Sequence, residues 1–109
     1  MRRFCRTDAN QRDVVKALQA LGCSVLDLSP LGFGAPDLLI GATKLQLGGA
    51  AGRLNILLED KDGKKSPSKR RLTDFQEDFH AGWRGQVDVV NSVEEAISIV
   101  TKYRRLGEL

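Results

Sequence analysis

Apolar and polar residues follow one another along the chain in two periods, one helical and one extended. Between Asp8 and Leu21 the apolar positions Val14, Val15, Ala17, Leu18 and Leu21 recur at helical spacing, with Thr7 or Asp8 placed to cap the start and Gly22 to end the helix. Ser24 to Leu28 predicts a short strand, and Ser29-Pro30-Leu31-Gly32-Phe33-Gly34 a loop broken by proline and glycine. A second strand is expected to begin near Pro36 and run through Leu38, Leu39 and Ile40; proline at a strand start gives up an N–H that the ladder need not use. Residues 41–53 predict a hairpin extension with its tip at Gly48-Gly49-Ala50-Ala51-Gly52. Leu54 to Lys61 is apolar on both faces as far as Leu58, the pattern of a central strand covered on each side, and it ends in charge.

Beyond a polar loop, Thr73 with Gln76 three residues on reads as the capping box of a second helix, with Phe75, Phe79 and Trp83 turned inward as core residues. Gln86 to Val90 predicts a fourth strand. Ser92 and Glu95 form another capping box, opening a third helix with Val93, Ala96, Ile97 and Val100 on one stripe. The order is αβββαβα, without internal repeat or linker. At 109 residues and 41% hydrophobic, this is one domain, 1–109, able to bury a single core and carry one site.

Charge adds a second layer. Lys and Arg number 17 against 14 Asp and Glu, a net charge of +3 that is too mild to name a partner, so its distribution matters more than its sum. Six basic residues and one acid fall between Lys61 and Arg71. Lys64, Lys65, Lys69, Arg70 and Arg71 read either as solvated surface charge or as contacts to the phosphates of DNA. No aromatic residue interleaves with them, so readout of backbone and shape is expected rather than base stacking. No apolar run approaches the roughly 20 residues of a membrane span, and Met1-Arg2-Arg3 is not followed by a signal-peptide hydrophobic region. Cys5 and Cys23 have neither metal-ligand spacing nor a second pair. A soluble, cytoplasmic protein with no membrane partner is expected.

The candidate chemistry lies at the end of the third strand. Alternate residues of a strand share a face, so Glu59 and Lys61 point one way and Asp60 the other. A carboxylate ending a buried strand needs a cation or a metal, and Lys61 alone can serve as that cation in a simple ion pair. Asp37 leaves a Gly34-Ala35-Pro36 turn at the mouth of the neighbouring strand, where a hairpin sets it beside Glu59; its other reading is a turn aspartate bonded to local N–H groups. Two carboxylates side by side imply a divalent cation, and hard oxygen ligands suggest Mg²⁺ or Mn²⁺ held partly by water and substrate phosphate. Gln11 falls on the inward stripe of the first helix, either as a partner of Asp8 in a capping box or at the edge of the site. His80, the only histidine, is left aside as structural or exposed.

Gly34-x-Pro36-Asp37, Glu59-x-Lys61, Leu72-Thr73-x-x-Gln76 and Trp83-x-Gly85-x-Val87 together resemble the VRR-NUC branch of the PD-(D/E)XK nuclease superfamily, especially the small stand-alone proteins of bacteriophages. The resemblance runs from Asn10 to Ala96. It implies a restriction-endonuclease-like αβββαβ core, a mixed sheet flanked by helices, plus a C-terminal helix. It implies that Asp37 and Glu59 bind the metal with the main-chain carbonyl of Asp60, that Lys61 orients or activates the attacking water, and that Gln76 lies near the active site, where its capping role explains it equally well. Many members place a glutamate on the first helix, where this chain offers Asn10 and Gln11, and the middle residue of Glu59-x-Lys61, usually apolar, is Asp60 here. The function implied is hydrolysis of DNA phosphodiesters, in branched DNA such as junctions or flaps, by a homodimer that matches a two-fold junction, inside a bacterial host cell. The alternative is a DNA-binding module that keeps the fold without cleaving.

Overall fold

The computed structural model describes residues 9–45 and 52–105, with the side chains of Lys69 and Arg70 left out. The caps expected at Thr7 or Asp8, Cys5, and most of the hairpin tip lie outside the described residues. Helix α1 spans Ala9–Ala20, strand β1 Ser24–Asp27, β2 Leu38–Thr43 and β3 Arg53–Asp60. Helix α2 covers Asp74–Gly82, strand β4 Asp88–Val90 and helix α3 Val93–Arg105. Short 3-10 turns lie at Ser29–Leu31 and Pro67–Arg70. The order αβββαβα is that expected from the periodicity.

The four strands form one mixed sheet in the order β1-β2-β3-β4. β1, β2 and β3 pair antiparallel, whereas β4 runs parallel to β3. A parallel neighbour needs a crossover, and the segment from Lys61 to Val87, with α2 inside it, supplies one. β3 is thereby central. Its Ile56 and Leu58 join Leu38 and Ile40 of β2 and Val90 of β4 on one face of the sheet. Val14 and Leu18 of α1 and Ala96 and Val100 of α3 cover that face, all fully buried. Each such Leu or Val side chain contributes about 1.5–3 kcal/mol by leaving water.

The end of α1 shows how the sequence turns the chain into β1. Gly22 takes φ +89°, its N–H donates to the Gln19 carbonyl, and the Cys23 N–H donates to the Leu18 carbonyl. This paired closure satisfies the last helical carbonyls and drops Cys23 next to Leu18 in the core. Leu21, expected on the inward stripe, is 42% exposed because the helix has already ended.

Four expectations are corrected. β4 is shorter than predicted: Gln86 does not join the ladder through its backbone, but its side chain accepts from the Leu57 N–H at 2.8 Å and donates to the Leu57 carbonyl at 2.7 Å. A side-chain amide thus stands in for a strand residue. The Ser92 hydroxyl accepts the Glu95 N–H as a cap should, but Glu95 returns to the Asn91 N–H instead of that of Ser92. α2 buries none of its residues completely. Phe75 and Trp83, expected in the core, are 63% and 46% exposed. Lastly, β3 is less evenly covered than its apolar run suggested: Ile56 and Leu58 are buried, Leu57 only half so.

Candidate functional site

The register of the β2–β3 hairpin assembles the site. Leu38 pairs with Leu58, so one step further along the same ladder Asp37 stands opposite Glu59. Directly opposed residues share a face. Asp37 is fixed there by its own side chain, whose Oδ2 accepts the Asp60 N–H at 2.8 Å. The turn reading and the site reading of Asp37 therefore differ: the N–H it takes up belongs to the site strand, not to its own turn. Asp60 points to the opposite face, toward α1, where its Oδ1 accepts from Asn10 Nδ2 at 2.8 Å. Asn10 Nδ2 also reaches the Lys61 carbonyl at 3.4 Å. Asn10 of the first helix thus braces the site strand. Gln11, buried on α1, lines a pocket of about 350 Å³ with Arg12, Val15, Val25 and Asp27.

α2 brings the fourth member. Thr73 Oγ1 accepts the Gln76 N–H and Gln76 Oε1 accepts the Thr73 N–H at 2.9 Å, a complete capping box. The same Oε1 accepts from Lys61 Nζ at 2.8 Å, and Nε2 donates to Glu59 Oε2 at 2.9 Å. One amide uses both lone pairs of its oxygen and one of its N–H groups to tie the helix start to the lysine and the carboxylate. Gln76 thus caps the helix and touches Lys61 and Glu59 at the same time.

Electrostatics single out Glu59. It is 1% exposed, and its pKa is pushed up to about 9 by burial first, then by the hydrogen bond and charge of Asp37; Lys61 pulls the other way without winning. Glu59 Oε1 lies 3.8 Å from His80 Nε2, too far for a hydrogen bond. Among the described residues neither atom has a hydrogen-bond partner, and both are buried. Burial, followed by the charge of Lys61, holds His80 below its ordinary pKa. His80 therefore belongs to the site, although sequence reasoning set it aside. The signal was its position one turn beyond Gln76 on the same helix face.

No protein-family model, curated protein or solved structure matches this chain. The chemistry of these side chains therefore carries the functional reading.

Among the described residues no three His, Cys, Asp or Glu side chains are gathered as a ready ligand set. A hard divalent cation does not need three. Mg²⁺ typically takes one or two carboxylates and completes its shell with water and phosphate. The neighbouring carboxylates of Asp37 and Glu59, with Glu59 Oε1 left unpartnered in the interior, fit that requirement.

The basic loop leaves the cluster at Lys61. Lys64, Lys65 and Arg71 are exposed on the segment that joins Lys61 to α2, and the side chains of Lys69 and Arg70 lie outside the described residues. Lys64 borders a pocket of about 460 Å³ with Asn10, Asp13, Asp62 and Glu94, so acids face part of its charge. No helix among the described residues is long and apolar enough to cross a membrane.

Proposed function

We propose that the protein is a metal-dependent nuclease of the restriction-endonuclease-like, VRR-NUC type that hydrolyses phosphodiester bonds in DNA. The observation that carries this is Glu59: a carboxyl 1% exposed, beside a second carboxylate, with one oxygen unpartnered among the described residues and the other tied through Gln76 to a lysine. Such an arrangement costs folding energy and is intelligible if a cation completes it. Asp37 and Glu59 would hold Mg²⁺ or Mn²⁺, with the main-chain carbonyl of Asp60 beside them. When bound, the ion polarises the scissile phosphate and lowers the pKa of a coordinated water. Lys61, held at a fixed point by Gln76, presents a compact cation to the attacking water and the phosphate. Lys64, Lys65, Lys69, Arg70 and Arg71 supply affinity for the backbone without regard to sequence.

Branched DNA is the proposed substrate and a homodimer the proposed assembly, since one site of this size covers few nucleotides and a two-fold junction presents two. Sedimentation at micromolar concentration with junction DNA tests the dimer; monomer alone would remove it. The rival reading, a DNA-binding module that does not cleave, is favoured by the lack of a third acidic ligand among the described residues.

The deciding experiment is cleavage of junction, flap and linear DNA with Mg²⁺, Mn²⁺ or EDTA, comparing wild type with Asp37→Ala and Lys61→Ala. Metal-dependent cleavage lost in both variants is expected. Cleavage in EDTA, or cleavage that survives both substitutions, refutes the mechanism; binding without cleavage selects the rival.

A further inference from the structure

The loop between β1 and β2 displays an aromatic ring at a cost the fold does not recover. Gly32, Phe33 and Gly34 take φ +68°, +56° and +81°, three successive residues at positive φ. Glycine adopts that region freely, whereas a bulky L residue there carries a steric penalty. Phe33 sits between two glycines and is 85% exposed, so burial of its ring does not offset the penalty. Strain held in place by its surroundings is found at sites of function.

The loop is fixed. A Cβ on Gly34 would lie 2.1 Å from the Phe75 carbonyl oxygen and 2.9 Å from the Gln76 nitrogen, so loop and α2 touch backbone to backbone. The Phe33 ring meets Phe75 edge to face, centroids 6.2 Å apart at 87°. Phe75 is itself 63% exposed. Gln76, next in the chain, holds Glu59 and Lys61, and Asp37 follows Gly34 by three residues. The braced ring is therefore carried by the two segments that bring Gln76 and Asp37 to the cluster.

We propose that Phe33, supported by Phe75, is a stacking platform for an unpaired nucleobase next to the phosphodiester bound at Asp37, Glu59 and Lys61, a proposal that rests on the nuclease reading of that site. A base offers a flat apolar face the size of one ring. A protein partner, by contrast, needs about 800 Å² on its side of a stable interface, far more than a loop tip presents. The exposed Lys64, Lys65 and Arg71, on the segment that leads into α2, complement the phosphates of the same strand. The substrate class narrows accordingly, from branched DNA to DNA with unpaired bases at the cleaved position, such as a flap or the opened centre of a junction.

The test is binding of the full chain, in EDTA, to a flap oligonucleotide with 2-aminopurine in its unpaired arm and to a fully paired duplex of equal length. Stacking of one base is worth roughly a 5- to 100-fold change in affinity on alanine substitution. Phe33→Ala should weaken flap binding by that factor, abolish quenching of 2-aminopurine, and leave duplex binding within about twofold. Phe33→Trp should restore both signals and Phe33→Leu should not. Phe33→Ala asks nothing more of the backbone, and a thermal melt checks that it folds. Wild-type affinity in Phe33→Ala, equal loss on the duplex, or full rescue by leucine overturns the proposal. Because no metal is present, binding is read independently of cleavage: a wild-type protein that quenches 2-aminopurine through Phe33 yet cuts nothing in Mn²⁺ removes the nuclease reading and keeps the platform.

Discussion

Replacing Glu59 by glutamine should stabilise the metal-free protein, and increasingly so as the pH rises. The carboxyl is held at about 9 in the folded chain against an ordinary 4.5. Its folded-state pKa is raised, so the stability that comes from the neutral form is fully present below about 4.5 and is lost as pH climbs toward 9. Each pH unit inside that window costs the wild type up to roughly 1.4 kcal/mol. Glutamine keeps the shape, accepts from Gln76 Nε2 as Glu59 Oε2 does, and does not titrate. Near pH 5 the two proteins should differ by less than about 1 kcal/mol, and near pH 7.5 by about 2–4 kcal/mol in favour of Glu59→Gln. Urea unfolding in EDTA from pH 5 to 8.5 measures this through the midpoint at constant slope. Repeating it in Mn²⁺ should reverse the order at pH 8, because a cation that binds only the folded wild type adds stability by mass action while glutamine holds it poorly. Parallel pH curves in EDTA would refute the claim that Glu59 is buried against its charge. Equal gains in Mn²⁺ would show that Glu59 is not where the metal sits.

The other predictions concern the elements around it. Gln76→Ala removes half of a capping box and the bonds to Lys61 and Glu59, so it should cost about 2 kcal/mol, and a double-mutant cycle with Lys61→Ala in guanidinium unfolding should show coupling of about 1 kcal/mol. No coupling would mean that cap and site are independent. Gly34→Ala combines left-handed strain with a Cβ 2.1 Å from the Phe75 oxygen and should cost about 3 kcal/mol or more, whereas Gly22→Ala, with nothing within 4 Å, should cost only about 1 kcal/mol from strain. Similar thermal shifts for the two would contradict the contact between loop and α2. Changing Lys64, Lys65 and Arg71 together to alanine should flatten the salt dependence of duplex binding by up to about 3 in log–log slope. An unchanged slope returns those residues to ordinary solvated surface.

The order of elements was legible because helices and strands here keep clean periods and their ends carry ordinary signals, Gly22 and the Thr73–Gln76 box among them. That Asp37 and Glu59 lie side by side was legible too, from strand alternation and the expectation of a hairpin. Period tells which residues share a face, but not what that face meets. Phe75, Phe79 and Trp83 share a helical stripe, and such a stripe is usually core; here α2 sits over the polar strand end, so Gln76 and His80 reach inward while Phe75 and Trp83 stay in water. Trp83 stacks on Phe79 at 5.1 Å instead of entering the core. A similar limit hid what Gln86 and Asn10 touch, since their side chains act on strand β3 across 29 and 50 residues of sequence. Neither belongs to a local motif that the chain could announce.

Gln76 shows why fold and site cannot be separated in this chain. α2 has no fully buried residue, so apolar packing alone holds it weakly. What fixes its first turn is a capping box whose glutamine also spans Lys61 and Glu59, together with the backbone contact at Gly34. A change at the carboxylate is therefore felt at the helix start. Neutral Glu59 can donate a proton, whereas ionised Glu59 only accepts, and Gln76 Nε2 is a donor already aimed at Oε2. Ionisation strengthens that bond, and with it the turn, at the same moment that it exposes a buried charge to Asp37. The two effects oppose each other in the metal-free chain. If Asp37 and Glu59 hold a cation as proposed, the repulsion would be relieved and the strengthened bond kept, so the proposed metal-bound state would also be the one in which α2 is held most firmly.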